Sequence, residues 1–197
     1  ETTVQKICEW SQRIYLQGDL TGFEGDPTFV RDNDAQKGFS KLRSAIAALY
    51  SWRHNNTTDP ALKKRYAREA DFAFRQALAF GPINPEVAYK YVNLLNTLGR
   101  FEDARRVAQT LDAMDSNSNS GQKLLANTYR IQEETLKFQF DFTNAAHMAL
   151  EISKLEKLDP DLKSQALVRH TKHNQWASQY QHPITKFHDK PGSLLRF

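Results

Sequence analysis

The stretch ADFAFRQALAFGPINP, residues 70–85, decides the fold. Ala70, Phe74 and Ala77 stand at offsets of four and three, the spacing that puts side chains on one face of an α-helix. Pro82 follows five residues later as a stop signal. A shift of 34 residues lays Ala70 on Ala104, Ala73 on Val107, Phe74 on Ala108 and Ala77 on Leu111. Self-similarity at that period marks stacked helical hairpins, each burying its apolar face against its neighbours.

The second copy, NPEVAYKYVNLLNTLGRFEDARRVAQTLDAMDSNS, reads as helix, turn, helix. Asn84 serves as cap and Pro85 as first helical residue, and Val87, Ala88, Tyr91, Leu94, Leu95 and Leu98 follow at helical spacing. Gly99 ends that helix where glycine alone is at ease in the left-handed region. Phe101, Ala104, Val107, Ala108 and Leu111 form the stripe of the next helix, its alanines permitting close approach of a neighbour. A 34-residue unit with Gly99, Phe101 and Ala104, preceded by Ala70, Phe74, Ala77 and Pro82, resembles the tetratricopeptide repeat. The chain departs from that pattern in placing Ala88 where the family often has Trp and Ser116 where a proline is usual. A looser third unit runs from KLLANTYRIQEETLKFQF to NAAHMALEISKLEKLDPD, with Met148, Ile152, Leu155 and Pro160 repeating the signature offsets, and it is longer than 34 residues.

Upstream, GFSKLRSAIAALYSWRHN (38–55) is a helix pairing with the helix of residues 60–80, with NNTTDP as an insertion in the turn and Asp59-Pro60 opening the second helix. Residues 3–17, with Val4, Ile7, Cys8, Trp10, Ile14 and Tyr15, form another amphipathic helix, followed by the loop GDLTGFEGDPTFVRDND. Residues 161–177 make a helix capping the last repeat, and QHPITKFHDKPGSLLRF runs extended. The expected fold is all-α, a right-handed α-solenoid of about eight helices. It is read as one domain over residues 1–197, with N-terminal helices and loop at 1–55, a repeat core at 60–160 and a capping helix with basic tail at 161–197.

Composition sets the bounds. The 197 residues are 40% hydrophobic and 25% charged, within the ordinary globular range. No run approaches the ~18 apolar residues of a membrane span. The chain opens on Glu1 without a signal-like segment, as expected of a piece of a larger protein. The single cysteine, Cys8, excludes an internal disulfide and fits a small buried apolar role. Residues 1–160 balance 21 basic against 21 acidic side chains, so the net charge of +4 belongs to residues 161–197, with six Lys or Arg, two Asp and four of the six histidines. Residues 61–110 are basic, nine against five, and residues 111–160 acidic, five against eight, an asymmetry too weak to argue nucleic acid.

The first helices of such repeats line a groove, and the resemblance implies a binding surface for a protein or peptide, with an acidic or C-terminal segment as the natural ligand. The groove residues are Tyr89, Lys90, Asn93, Asn96 and Thr97 in the central unit and Lys123, Asn127 and Arg130 in the next. Asn93 and Asn127 lie one 34-residue period apart, and an Asn amide offers both donor and acceptor to an extended backbone, while Lys or Arg would hold a carboxylate. The same pattern equally describes two solvated helix faces.

Three other constellations carry less. Glu24, Asp26, Asp32, Asn33 and Asp34 suggest a cation site or a sugar-nucleotide Asp-x-Asp motif, but a cap on the helix beginning near residue 38, from Asp32 or Asp34, explains them more simply. His170 and His173 are one turn apart, with His182 and His188 beyond, and no Cys or carboxylate pair completes a zinc set, so they read as solvated. Arg169, Lys172, Lys186 and Trp176 in the same segment are compatible with weak binding of phosphate or anionic lipid. No nucleotide-binding glycine loop, nucleophile elbow or His-Glu-x-x-His stretch occurs. No catalytic residues, metal or cofactor are therefore expected.

A second resemblance rests on FVRDNDAQKGFSKLRSAIAALYSWR followed by the repeats, covering residues 29–115. It is similar to the soluble C-terminal part of bacterial multi-pass membrane proteins that resemble protein O-mannosyltransferases. That likeness implies an accessory domain on the cytoplasmic or extracytoplasmic side of a bacterial membrane, with any glycosyl transfer residing in a membrane part outside these residues.

Overall fold

The structure, a computed structural model, describes residues 2–188. Among them are eight α-helices and no strand: α1 (Val4–Ser11), α2 (Asn33–Asn56), α3 (Pro60–Phe80), α4 (Pro85–Thr97), α5 (Phe101–Met114), α6 (Ser120–Phe138), α7 (Phe142–Ser153) and α8 (Pro160–His188). The fold is all-α and tetratricopeptide-like, its helices packed in neighbouring pairs. The residues divide into two compact units, up to Thr128 and from Tyr129 onward.

In the first unit α2 pairs with α3 and α4 with α5, and α1 packs on α3 and α5. Helix starts follow from local chemistry. Asp59 accepts from the backbone N–H of Ala61 and Leu62, and Asn84 from that of Glu86 and Val87, each just before a proline whose missing N–H costs nothing in the first turn. Gly99 has φ +70° and closes α4. The repeat stripe is the core: Ala70, Phe74, Ala77, Ala104, Ala108 and Leu111 are all 0–1% exposed. Phe74 stacks on Tyr91 with ring centroids 5.3 Å apart.

Behind that stack lies a polar clamp. Tyr91 donates its hydroxyl to Asp71 Oδ1 at 2.8 Å, Arg100 reaches the same oxygen at 2.8 Å, and Arg75 meets Oδ2 at 3.1 Å. Burial, reinforced by the Asp71 charge, raises the Tyr91 phenol well above its ordinary range. Arg75 also donates to the Thr2 carbonyl, tying the N-terminal segment to α3.

Several boundaries differ from the sequence expectation. The N-terminal helix is α-helical only to Ser11 and continues as a π-helical turn over Gln12–Leu16. This wider turn lets Trp10 and Tyr15, five residues apart, meet edge to face at 5.9 Å. Helix α2 begins at Asn33, ahead of the expected 38, because Asp32 caps it by accepting from Asp34 and Ala35 N–H, while Asp34 lies in its first turn.

In the second unit α7 packs along α8. Helix α7 stops at Ser153, before the expected end at Asp159-Pro160, and its buried face is Ala145, Ala149 and Ile152; Met148 is half-exposed. Asp159-Pro160 instead opens α8, Asp159 accepting from Asp161 N–H at 2.9 Å, with the same chemistry as the two earlier Asx-Pro starts. The expected extended tail is helical as far as His188, with Pro183 inside α8. Proline's fixed φ is itself helical and removes a single hydrogen bond, so it kinks or strains a helix without always ending it. The rest of the expected tail, 189–197, lies outside the described residues. His173 is not solvated, and His170 is half-buried. His173 is 2% exposed with Nε2 2.8 Å from the fully buried Glu133, which also receives Arg169 Nε at 3.0 Å, and His170 Nδ1 lies 2.9 Å from the Ala146 carbonyl.

Two tests follow from this packing. A Cβ at Gly121 would sit 2.5 Å from Asp112 N and 2.6 Å from its Cα, backbone that cannot yield locally. Gly121→Ala is expected to cost more in a urea melt than Gly99→Ala, roughly 2–3 against about 1 kcal/mol; equal costs would show that α5 and α6 shift freely. Cys8 is buried, and burial raises its thiol from the ordinary 9.0 to about 11, the Thr110 hydroxyl opposing. The unfolded chain loses this proton first, so the Cys8 contribution weakens stability as pH climbs from 9 to 11. At pH 8 iodoacetamide should label Cys8 only in denaturant.

Candidate functional site

In the first unit, α2 and α4 flank a cavity of about 220 Å³. Ala48, Ser51 and Asn55 line it from α2, Lys90, Asn93, Leu94 and Thr97 from α4, and Phe74 from α3. This partly open space has room for several waters, or for a side chain of a ligand. Phe74 and Leu94 are almost wholly buried, so the floor is apolar, while the rim is polar.

The rim groups are mostly uncommitted. Among the described residues, the amides of Asn55 and Asn93 make no hydrogen bond, and the buried Ser51 hydroxyl has no partner. Thr97 donates to the Asn93 carbonyl at 2.9 Å. Lys90 reaches back one turn to Glu86 at 2.6 Å, and that hydrogen bond and charge hold the Glu86 carboxyl below its ordinary range. The pair is exposed, 39% and 62%, and such pairs contribute little, so it does not bar an incoming carboxylate.

The expected groove residues separate on this geometry. Lys90, Asn93 and Thr97 line the cavity. Tyr89 is exposed on α4, and Lys123 is exposed and Asn127 half-buried on α6, all outside the cavity lining. Arg130 is exposed on the part of α6 that belongs to the second unit. Asn96 leaves the surface: it is 7% exposed and donates to Thr128 Oγ1 at 3.3 Å, joining α4 to α6. Three positions along α4 leave Asn96 only about 60° around the helix from Asn93, and that offset is enough to carry it from the edge of the cavity to the side packed against α6.

The α2 contribution was missed by the sequence reading. Ser51 and Asn55 belong to the first helix of the preceding hairpin, which runs on to Asn56, so that Asn55, read from the sequence as the start of the turn insertion NNTTDP, is helical. From the sequence, that helix is the first of its hairpin and the insertion lies in the turn, but groove residues are assigned only on the two later units.

The acidic loop has a structural use throughout its described contacts. Asp26 accepts from Thr28 N–H at 2.9 Å, and Asp32 caps α2. Among the described residues no three His, Cys, Asp or Glu side chains converge as a metal requires.

A tetratricopeptide repeat family model matches residues 61–128, which takes in α3, α4, α5 and the start of α6. Phe74 and the α4 side of the cavity lie within that match, and the α2 side precedes it. No curated protein and no solved structure matches the chain. No described helix is long and apolar enough to cross a membrane.

The two serines of α2 make a matched test. Ser40 Oγ donates to the Ala77 carbonyl at 2.9 Å, whereas the Ser51 hydroxyl bonds to nothing. Ser40→Ala should lower stability by about 1 kcal/mol and Ser51→Ala by less than ~0.5, or raise it, in denaturant melts. A Ser51 cost equal to that of Ser40 would mean that the hydroxyl serves the fold and not the cavity.

Proposed function

We propose that the first unit is a non-catalytic scaffold that takes an extended peptide, or a segment of a partner protein, across the cavity between α2 and α4. The observation that carries this reading is the rim of uncommitted polar groups around an apolar floor. The Asn55 and Asn93 amides can each donate to and accept from a peptide backbone, and one ligand side chain fills the space over Phe74 and Leu94. Tetratricopeptide repeats typically mediate protein–protein contact without chemistry of their own, and the match over residues 61–128 accords with that use. Lys90 at the rim favours a ligand with a carboxylate, its own acidic side chain or its C-terminus.

An array of ten-residue peptides of acidic, basic and neutral composition, followed by titration of the best binders, tests the proposal. The double change Asn55→Ala, Asn93→Ala should weaken the best binder about tenfold or more, equivalent to one or two lost hydrogen bonds, while leaving the thermal midpoint in place. Lys90→Gln should weaken acidic peptides selectively. Binding that ignores both changes would remove the ligand from this cavity.

A further inference from the structure

Helix α2 is amphipathic in the inverted sense. The side it turns to the protein carries Gln36, Ser40, Ser44, Ala47 and His54, all buried and mostly polar. Gln36 donates to the carbonyls of Phe29 and Val30, Ser40 to that of Ala77, and His54 Nδ1 lies 3.0 Å from the Lys63 carbonyl. The opposite side carries Phe39, Leu42, Leu49 and Trp52 at 52%, 61%, 50% and 62% exposure, Phe39 with one side of its ring against Phe29 and Phe80 at 5.8 and 5.5 Å. At 100° per residue these side chains, with Ala45, span roughly 140° of arc, and at 1.5 Å per residue about 20 Å of length. That is far wider than a coiled-coil seam.

Basic side chains outnumber acidic ones around this face, where Asp34 stands in the first turn of α2 and Glu86 lies within the field of Lys41. Residues 35–68 contain eight Lys or Arg and one acid, Asp59, which is used as the cap of α3. Lys37 and Lys41 border one edge of the apolar arc and Arg43 the other, by the same helical spacing. Arg53 is drawn aside over the rings of Tyr50 and Tyr66, at 5.9 and 5.8 Å. Exposed Lys63, Lys64 and Arg65 lie at the Trp52 end, where His54 meets Lys63.

We infer that this face of α2 docks on an anionic lipid surface, with Phe39, Leu42, Leu49 and Trp52 entering the headgroup–acyl boundary and the flanking lysines and arginines reaching the phosphates. Charge complementarity excludes a second copy of the chain, since two such faces would oppose basic edge to basic edge. It also selects against a protein partner, whose interfaces are depleted in lysine, whereas here the exposed Lys37 and Lys41 border the apolar face. Trp, Phe and Leu on one face with Lys and Arg at its edges is the pattern of a helix lying in a membrane interface, each basic residue adding attraction to anionic lipid.

The test is co-sedimentation of the protein with vesicles of phosphatidylcholine alone and of phosphatidylcholine with one-third phosphatidylglycerol. Binding is expected to the second only and to fall with salt. Leu49→Ala with Trp52→Ala should reduce it about tenfold or more, and Lys37→Glu with Lys41→Glu comparably, since both pairs are exposed and leave the fold intact by circular dichroism. The Asn55→Ala, Asn93→Ala protein should bind vesicles as well as the unaltered chain, which separates this surface from the cavity. Failure to bind anionic vesicles, equal binding to neutral ones, or indifference to Leu49→Ala with Trp52→Ala each overturns the inference. So does saturable binding of an acidic amphipathic helical peptide to this face by a protein that ignores vesicles.

Discussion

A single buried carboxylate organises the first unit. Asp71, on α3, receives Tyr91 from α4, Arg100 from the turn before α5, and Arg75 one turn along its own helix. A buried charge stripped of a partner is costly, on the order of 3–5 kcal/mol, so three segments are obliged to meet where the carboxylate can be satisfied. Once Tyr91 is held by its hydroxyl, its ring can only lie where it does, stacked on Phe74. Phe74 in turn is the floor of the cavity between α2 and α4. The polar clamp behind the core thus sets the shape of the apolar surface in front of it.

The inversion of α2 follows from the same economy of space. Serines at 40 and 44 and alanine at 47 let α2 come close to α3, and bulky side chains on that side would hold the helices apart. The large apolar residues are left on the opposite side, half or more exposed, with Phe39 meeting the rings of Phe29 and Phe80. One helix therefore supplies two surfaces of different chemistry. Ser51 and Asn55 edge a small polar-rimmed cavity, and Phe39 to Trp52 form a broad apolar face with basic borders.

The second unit uses a buried carboxylate in another way. Glu133, fully buried, is met by His173 and Arg169, both from α8, while Phe142 packs between Trp176 and Tyr180 at 5.4 Å from each. Neither contact could be anticipated from a histidine pair one turn apart. Helical spacing places His170 and His173 near one another but says nothing about what an adjoining helix presents to them.

What the sequence determined by itself is everything local and periodic. Asx-Pro starts, the glycine that closes α4 and the Ala70–Phe74–Ala77 face arise from hydrogen bonds, backbone sterics and spacing within a few residues. The pairing of helices followed from the 34-residue period, because repeated faces bury one another. Where the signal was ambiguous even locally, as at Asp159-Pro160, the same dipeptide was readable as an end or a start, and packing chose the start. Only the tertiary structure decided which side of each helix met which neighbour. Asn93 and Asn96 share a helix and a residue type, yet one faces the cavity and the other is sealed against Thr128. The α2 wall of the cavity was not read from the sequence although its helix and the inserted turn were, because the insertion NNTTDP takes in Asn55 and only the structure extends α2 to Asn56. Side-chain environment is a property of the residues brought together by folding, and spacing along one helix does not contain it.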